Sequence, residues 1–184
     1  AMKTTQLITT AFMTAILVAS PMSAMAGKGK STASKRPSTA TVVLAPLSDP
    51  EMAALKWMRE EEKLARDIYV AMSTKYSQNI FKNIAASEQK HFDAIGEKLV
   101  LYGIEDPALD APGFFSVQEL QDMYDALLAK GWISYVDALE VGVAIEEEDI
   151  VDLEAALAGT TSRPLTKTYQ QLLKDLNKEG FTRV

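Results

Sequence analysis

The sequence predicts an all-α protein: an antiparallel four-helix bundle with a short extra helix inserted between helices two and three. Three observations carry this. Apolar residues recur at alternating three- and four-residue steps through four long segments, the spacing of a buried helical stripe. Gly103, Gly131, Gly159 and Pro164 stand at the boundaries of those segments, where helices stop and start. Pro107, Pro112 and Gly113 mark one longer connection, followed by a shorter amphipathic stretch.

Helix one opens at Ser48-Asp49-Pro50, with Ser or Asp as cap and Pro in the first turn. Its seam runs Leu55, Met58, Ala65, Tyr69, Met72, and Glu62 occupies the slot between Met58 and Ala65. Helix two runs from about Asn79 to Tyr102, with the seam Phe81, Ile84, Glu88, His91, Ile95, Leu99, Tyr102. Residues 103–115 form a loop, and Ser116 is expected to cap the inserted helix, whose apolar side is Leu120, Met123, Tyr124 and Leu127. Helix three is expected from about Ile133 to Ala158, with the seam Val136, Leu139, Val143, Glu146, Ile150, Leu153, Leu157; Asp149 flanks the same face. Helix four starts at Pro164 and runs through Leu165, Tyr169, Leu172 and Leu176 to Glu179.

Each long helix thus places an acid in its apolar seam, and helix two adds His91, the single histidine of the chain. In a hairpin turning near Ser77, Glu62 lies ~15 residues before the turn and His91 ~14 after it, which at ~1.5 Å per residue sets them level. In a hairpin turning near Thr161, Glu146 and Glu179 lie ~15 before and ~18 after, about one turn apart. Ionised carboxylates do not gather in a dry core without compensation, because desolvation and mutual repulsion both oppose it. Two divalent cations would neutralise four carboxylates. An oxygen-rich set with one imidazole and no sulfur suits iron, or manganese, better than structural zinc, at two ions per chain. The expected metal ligands are Glu62, Glu88, His91 and Glu146, with Asp149 and Glu179 as further candidates.

Plainer readings compete. Glu60-Glu61-Glu62 and Glu146-Glu147-Glu148-Asp149 read as solvated acidic runs, with Lys63 and Arg66 pairing to the first at helical spacing. Either Glu146 or Glu147 could point inward, and a lone His on an apolar face is often simply hydrogen-bonded. Met58, Met72, Tyr69 and Tyr124 read as packing.

Composition narrows the function. A net charge of −6 argues against nucleic acid as a partner, and the lack of cysteine removes disulfides, thiol catalysis and Cys-ligated metals. Residues 1–26 read as a secretory signal peptide: Lys3, an apolar run from Leu7 to Val18 too short to span a bilayer, and an Ala24-Met25-Ala26 cleavage box. The expected product is secreted or periplasmic, with no stable membrane span after cleavage. Residues 27–46 read as a flexible basic linker carrying the β-prone stretch Thr41–Ala45, through which a homo-oligomer or other assembly could form. The helical domain is assigned to 47–184.

The stretches Met58–Tyr69 (MREEEKLARDIY), Asn83–His91 (NIAASEQKH) and Val141–Leu153 (VGVAIEEEDIVDL) resemble the family catalogued as domain of unknown function 2202, across roughly Leu47 to Leu173. The resemblance implies a ferritin-like antiparallel four-helix bundle. The first helix is also similar to that of rubrerythrin, where Ala, Arg and Tyr follow a ligand Glu at the third, fourth and seventh positions. Ala65, Arg66 and Tyr69 follow Glu62 at those steps, which favours Glu62 over its neighbours and implies supporting roles for Arg66 and Tyr69. Glu88 and His91 match the second-helix ligand pair, and Glu146 and Asp149 match a Glu-x-x-acid pair. The C-terminus departs: relatives carry Asn-His-Leu-Arg where this chain has Asn177-Lys178-Glu179-Gly180-Phe181, putting Glu179 near the expected His. A Cys-rich rubredoxin segment, which carries electrons in rubrerythrin, is also lacking. The functional expectation is an exported ferritin-like protein with a carboxylate-bridged di-metal site acting in oxidation or metal handling. The alternative is a metal-free bundle acting as a binding or assembly module.

Overall fold

The structure is a computed structural model that describes residues 44–179, with Glu179 described by its backbone alone. The signal-peptide reading and residues 27–43 of the linker lie outside the described residues. Leu44 and Ala45, the described end of the β-prone stretch, belong to no helix or strand.

Five helices and no strands occur among the described residues: α1 Asp49–Lys75, α2 Asn79–Tyr102, α3 Gln118–Gly131, α4 Tyr135–Gly159 and α5 Arg163–Glu179. The first starts where Pro50 and a Ser48–Glu51 exchange set it. Glu51 reaches back to accept from the Ser48 N–H at 2.8 Å and its hydroxyl at 2.7 Å. Gly103 stops α2 because it adopts the left-handed conformation, φ 64°, that side-chain-bearing residues avoid. Ser134 caps α4 by accepting from the Asp137 N–H at 3.1 Å. The inserted helix begins differently from expectation. Val117, not Ser116, is its cap residue, because the Ser116 N–H and hydroxyl both donate to Glu60, each at 2.7 Å.

Three-residue connections join α1 to α2 and α4 to α5, so each pair folds back on itself. The first helix packs on α2, α4 and α3; the fifth packs on α4 and α2; the third also packs on α4. The predicted seams of α1 and α2 are buried, except for half-buried Tyr102, and that of α5 is buried from Leu165 to Leu176. Of the seam expected for α4, only Glu146 and Leu153 are buried. Val136 is exposed, and Leu139, Val143, Ile150 and Leu157 are half-buried. The inward stripe is Ala138, Val141, Gly142, Ile145, Leu153 and Ala156. This helix is apolar around much of its circumference, and its small residues face inward where neighbouring backbones come close.

The core is two apolar clusters. One gathers Leu64, Tyr69, Met72, Phe81, Ile84, Val141 and Ile145; the other gathers Leu55, Met58, Ile95, Leu99, Leu153, Tyr169 and Leu176. Along α1, α2 and α4 alike, the switch from one cluster to the other falls at the polar residues: Glu62, then Glu88 and His91, then Glu146 and Asp149.

Candidate metal centre

Glu62, Glu88, His91, Glu146 and Asp149 are all buried. Three-residue spacing puts Glu88 and His91 on one face of α2, one turn apart. His91 Nδ1 lies 2.9 Å from Glu88 Oε2 and 3.5 Å from Glu62 Oε2, so the level predicted for Glu62 and His91 is the level they occupy. One donor atom each from Glu62, Glu88 and His91 lie within 4.8 Å of one another. From α4, Glu146 stands within electrostatic reach of Glu88 and accepts from the Tyr69 hydroxyl at 2.7 Å. Asp149 stands within electrostatic reach of Glu62, Glu61, Glu88 and Glu146. It is Glu146, and not the exposed Glu147, that points inward.

Several oxygens in this band have no hydrogen-bond partner in the protein: Oε1 of Glu62, Oε1 of Glu88 and Oδ2 of Asp149, while Oε2 of Glu62 has only its long 3.5 Å contact with His91. A buried carboxylate oxygen left unpaired is costly, and native interiors seldom carry several together. Burial raises the Glu88 and Asp149 carboxyls well above the usual range, and neighbouring carboxylates raise them further. For His91, burial acts downward, but hydrogen bonds and charge attraction from Glu62 and Glu88 outweigh it and push the imidazole up to about 11. Even a charged His91 offsets only one of four carboxylates. The donor set, four carboxylates and one imidazole with orphaned oxygens, fits divalent cations of the iron and manganese kind.

α5 differs from its neighbours. Among the described residues it buries no carboxylate; Leu172 and Leu176 form its inner face, and half-buried Asp175 stands within electrostatic reach of His91. The side chain of Glu179 lies outside the described residues.

Residues 51–182 match the family described as "Uncharacterized protein domain (DUF2202)". The chain belongs to this family. It is 45% identical over 130 residues to "Uncharacterized protein MJ0754" of Methanocaldococcus jannaschii, covering 70% of each chain. Its structure is similar to the crystal structure of hypothetical protein MJ0754 from Methanococcus jannaschii, with a TM-score of 0.73 and 42% identity, over 76% of this chain and 81% of that one.

In this DUF2202 domain the acidic run on α1 is not a solvated face: Glu60, Glu61, Glu62 and Lys63 are all buried. Nor do Lys63 and Arg66 pair with it. Both bind Asp67, at 2.7 and 2.8 Å, and Arg66 reaches Gln89 rather than a carboxylate of the centre. Tyr69 does hold one, Glu146. Sequence reasoning passed over Glu61, buried beside Asp152 of α4, because periodicity assigned the inward slot to Glu62 alone. A faint signal was available: Trp57 lies one helical turn before Glu61, and its indole N–H donates to Asp152 at 3.0 Å. No helix among the described residues is long and apolar enough to cross a membrane.

Proposed function

We propose that this chain is an exported ferritin-like protein in which α1, α2, α4 and α5 form the four-helix bundle, α3 is the insertion, and the buried acids hold a di-metal centre. The observation that carries the reading is the Glu62–Glu88–His91 cluster, three inward donors from two helices in which Oε1 of each carboxylate has no hydrogen-bond partner in the protein. Glu62, Glu88, His91 and Glu146 would be the ligands, with Asp149 beside them. Glu179 is the candidate from α5, where the family resemblance places a His. Tyr69 orients Glu146 through its hydrogen bond, and the two apolar clusters keep bulk water from the band.

The ions are iron, or manganese, two per chain. The chemistry a pair of irons supplies in such a setting is oxidation of ferrous ion coupled to reduction of dioxygen or peroxide, which makes a ferroxidase or iron-handling role the reading of choice. Export rests on the sequence features of residues 1–26. The test is to load the purified protein with ferrous iron without oxygen, then admit air. About two irons bound per chain, with ferrous oxidation faster than in buffer and both lost in Glu88→Ala, is the expected result. No bound metal in the unaltered protein would overturn the proposal and leave a metal-free binding or assembly module.

A further inference from the structure

A second group of acids lies between α1 and α4, beside the proposed centre. Glu61 is 4% exposed, yet its Oε2 has no hydrogen-bond partner in the protein. Its carboxyl stands against that of Asp152, which accepts from the Trp57 indole N–H at 3.0 Å. Two carboxyl groups in contact need a shared proton or a cation between them. The group has an outside and an inside. Asp152 and Glu148, within electrostatic reach of each other, are half-buried and reach solvent; Glu61 stands within electrostatic reach of fully buried Glu62 and Asp149.

We propose that Glu61 and Asp152 form a second cation site, a two-carboxylate way-station through which a hard divalent ion passes from solvent to the buried pocket. Ions of this class are commonly held by one or two carboxylates with water completing the shell, and both groups here offer oxygen alone. The orphaned Oε2 of Glu61 gives the ion a contact that protein groups do not take. Neighbouring Glu62 and Asp149 draw the ion inward. The inference rests on the metal-centre reading only for the ion's destination; the way-station itself needs only Glu61 and Asp152.

Trp57 supplies the test, because an indole within a few ångströms of bound terbium(III) sensitises that ion's luminescence. In full-length protein carrying Trp132→Phe, Trp57 is the one remaining indole. Terbium emission excited through Trp57 should saturate, and Glu61→Gln or Asp152→Asn should each weaken binding at least ~10-fold. Both variants keep the size of the side chain, and Asn still accepts from Trp57; far-ultraviolet circular dichroism checks that they fold. Glu88→Gln, in the deeper pocket, should leave this binding within about twofold. Unchanged binding in both Glu61→Gln and Asp152→Asn overturns the way-station. If Glu88→Gln alone abolishes emission, the central pocket takes the ion and the way-station falls while the functional reading stands. If Glu61→Gln alone abolishes emission and iron loading also fails, the way-station stands and the central reading falls.

Discussion

The Tyr69 hydroxyl and the Glu146 carboxylate meet at 2.7 Å between α1 and α4, where one apolar cluster gives way to the band of acids. Neither residue has any solvent exposure. The phenol also lies 3.2 Å from the Gly142 carbonyl, so it is fixed from two sides and fixes Glu146 in turn. Burial and the nearby carboxylates hold its own proton on, pushing the phenol well above its usual range, so it acts as a donor.

Tyr69→Phe should therefore do more than remove a hydroxyl. It takes a donor from a buried carboxylate, which costs about 1–3 kcal/mol in denaturant unfolding of the metal-free protein. Metal affinity should fall about 10- to 100-fold, as it does when the partner that orients a ligand is lost. Equal stability and equal metal affinity in wild type and variant would show that Glu146 needs no orientation from α1.

Lys63 is a buried cation with a structural duty. Its ammonium donates to Asp67 at 2.7 Å and to the Ala111 and Phe114 carbonyls at 2.9 and 3.1 Å. Asp67 in turn accepts from the Gly113 N–H at 2.9 Å. One buried ion pair thus anchors the α2–α3 connection to α1. Lys63→Met strips three acceptors of their donor and should cost about 3–5 kcal/mol. Limited proteolysis should show new cleavage within residues 105–116. Lys63→Met combined with Asp67→Leu should cost less than the sum of the single changes, because the Lys63–Asp67 contact is lost in each and counted once in the pair; Arg66, which also binds Asp67, still loses its carboxylate.

Glu51 predicts an acid limit to stability. Burial would raise its carboxyl, but hydrogen bonds from Ser48, Thr161 and Thr160 outweigh that and bring it down to about 2 from 4.5. The folded protein therefore binds this proton less readily than the unfolded chain. The stabilisation is complete above pH ~4.5 and is lost as pH falls towards ~2. It amounts to at most about 3 kcal/mol. Glu51→Gln should lower stability at pH 7 and erase the part of the acid-side slope between pH ~4.5 and ~2 that Glu51 supplies. Parallel pH profiles for wild type and variant in urea unfolding would contradict this.

Helix bounds were legible because their signals are local: Ser48, Asp49 and Pro50 at a start, Gly103 at a stop, and three- and four-residue spacing through α1 and α2. The level of Glu62 with His91 was legible because a three-residue turn leaves a hairpin little freedom of register. The face of α4 was not, since Val136, Leu139 and Val143 make an apolar stripe as persuasive as the inner one, and only the neighbouring helices decide between them. Burial of the whole run from Glu60 to Lys63 was also out of reach. It depends on Ser116, Ala111 and Phe114, some 50 residues away, covering the outer side of α1. Glu61 went unnoticed because periodicity gave the inward slot to Glu62 alone, and its neighbour Asp152 lies on another helix, distant in sequence.

Metal should stabilise the wild type more than it stabilises Glu88→Gln. Without metal, the wild type must keep Glu88 and Glu62 among other acids, with Oε1 of each lacking a hydrogen-bond partner in the protein. A neutral amide at position 88 relieves that repulsion, so metal-free Glu88→Gln should melt at the wild-type temperature or above it. An ion that binds only the folded state stabilises it by about 2.7 kcal/mol at 100 times its Kd. Adding manganese, or ferrous iron without oxygen, should thus raise the wild-type melting temperature with concentration and raise that of the variant by less, since the variant keeps only the Glu61–Asp152 pair, and a chelator should reverse the rise. Wild-type melting that ignores metal, together with a variant less stable than wild type, would mean that shared protons and His91 satisfy the band by themselves.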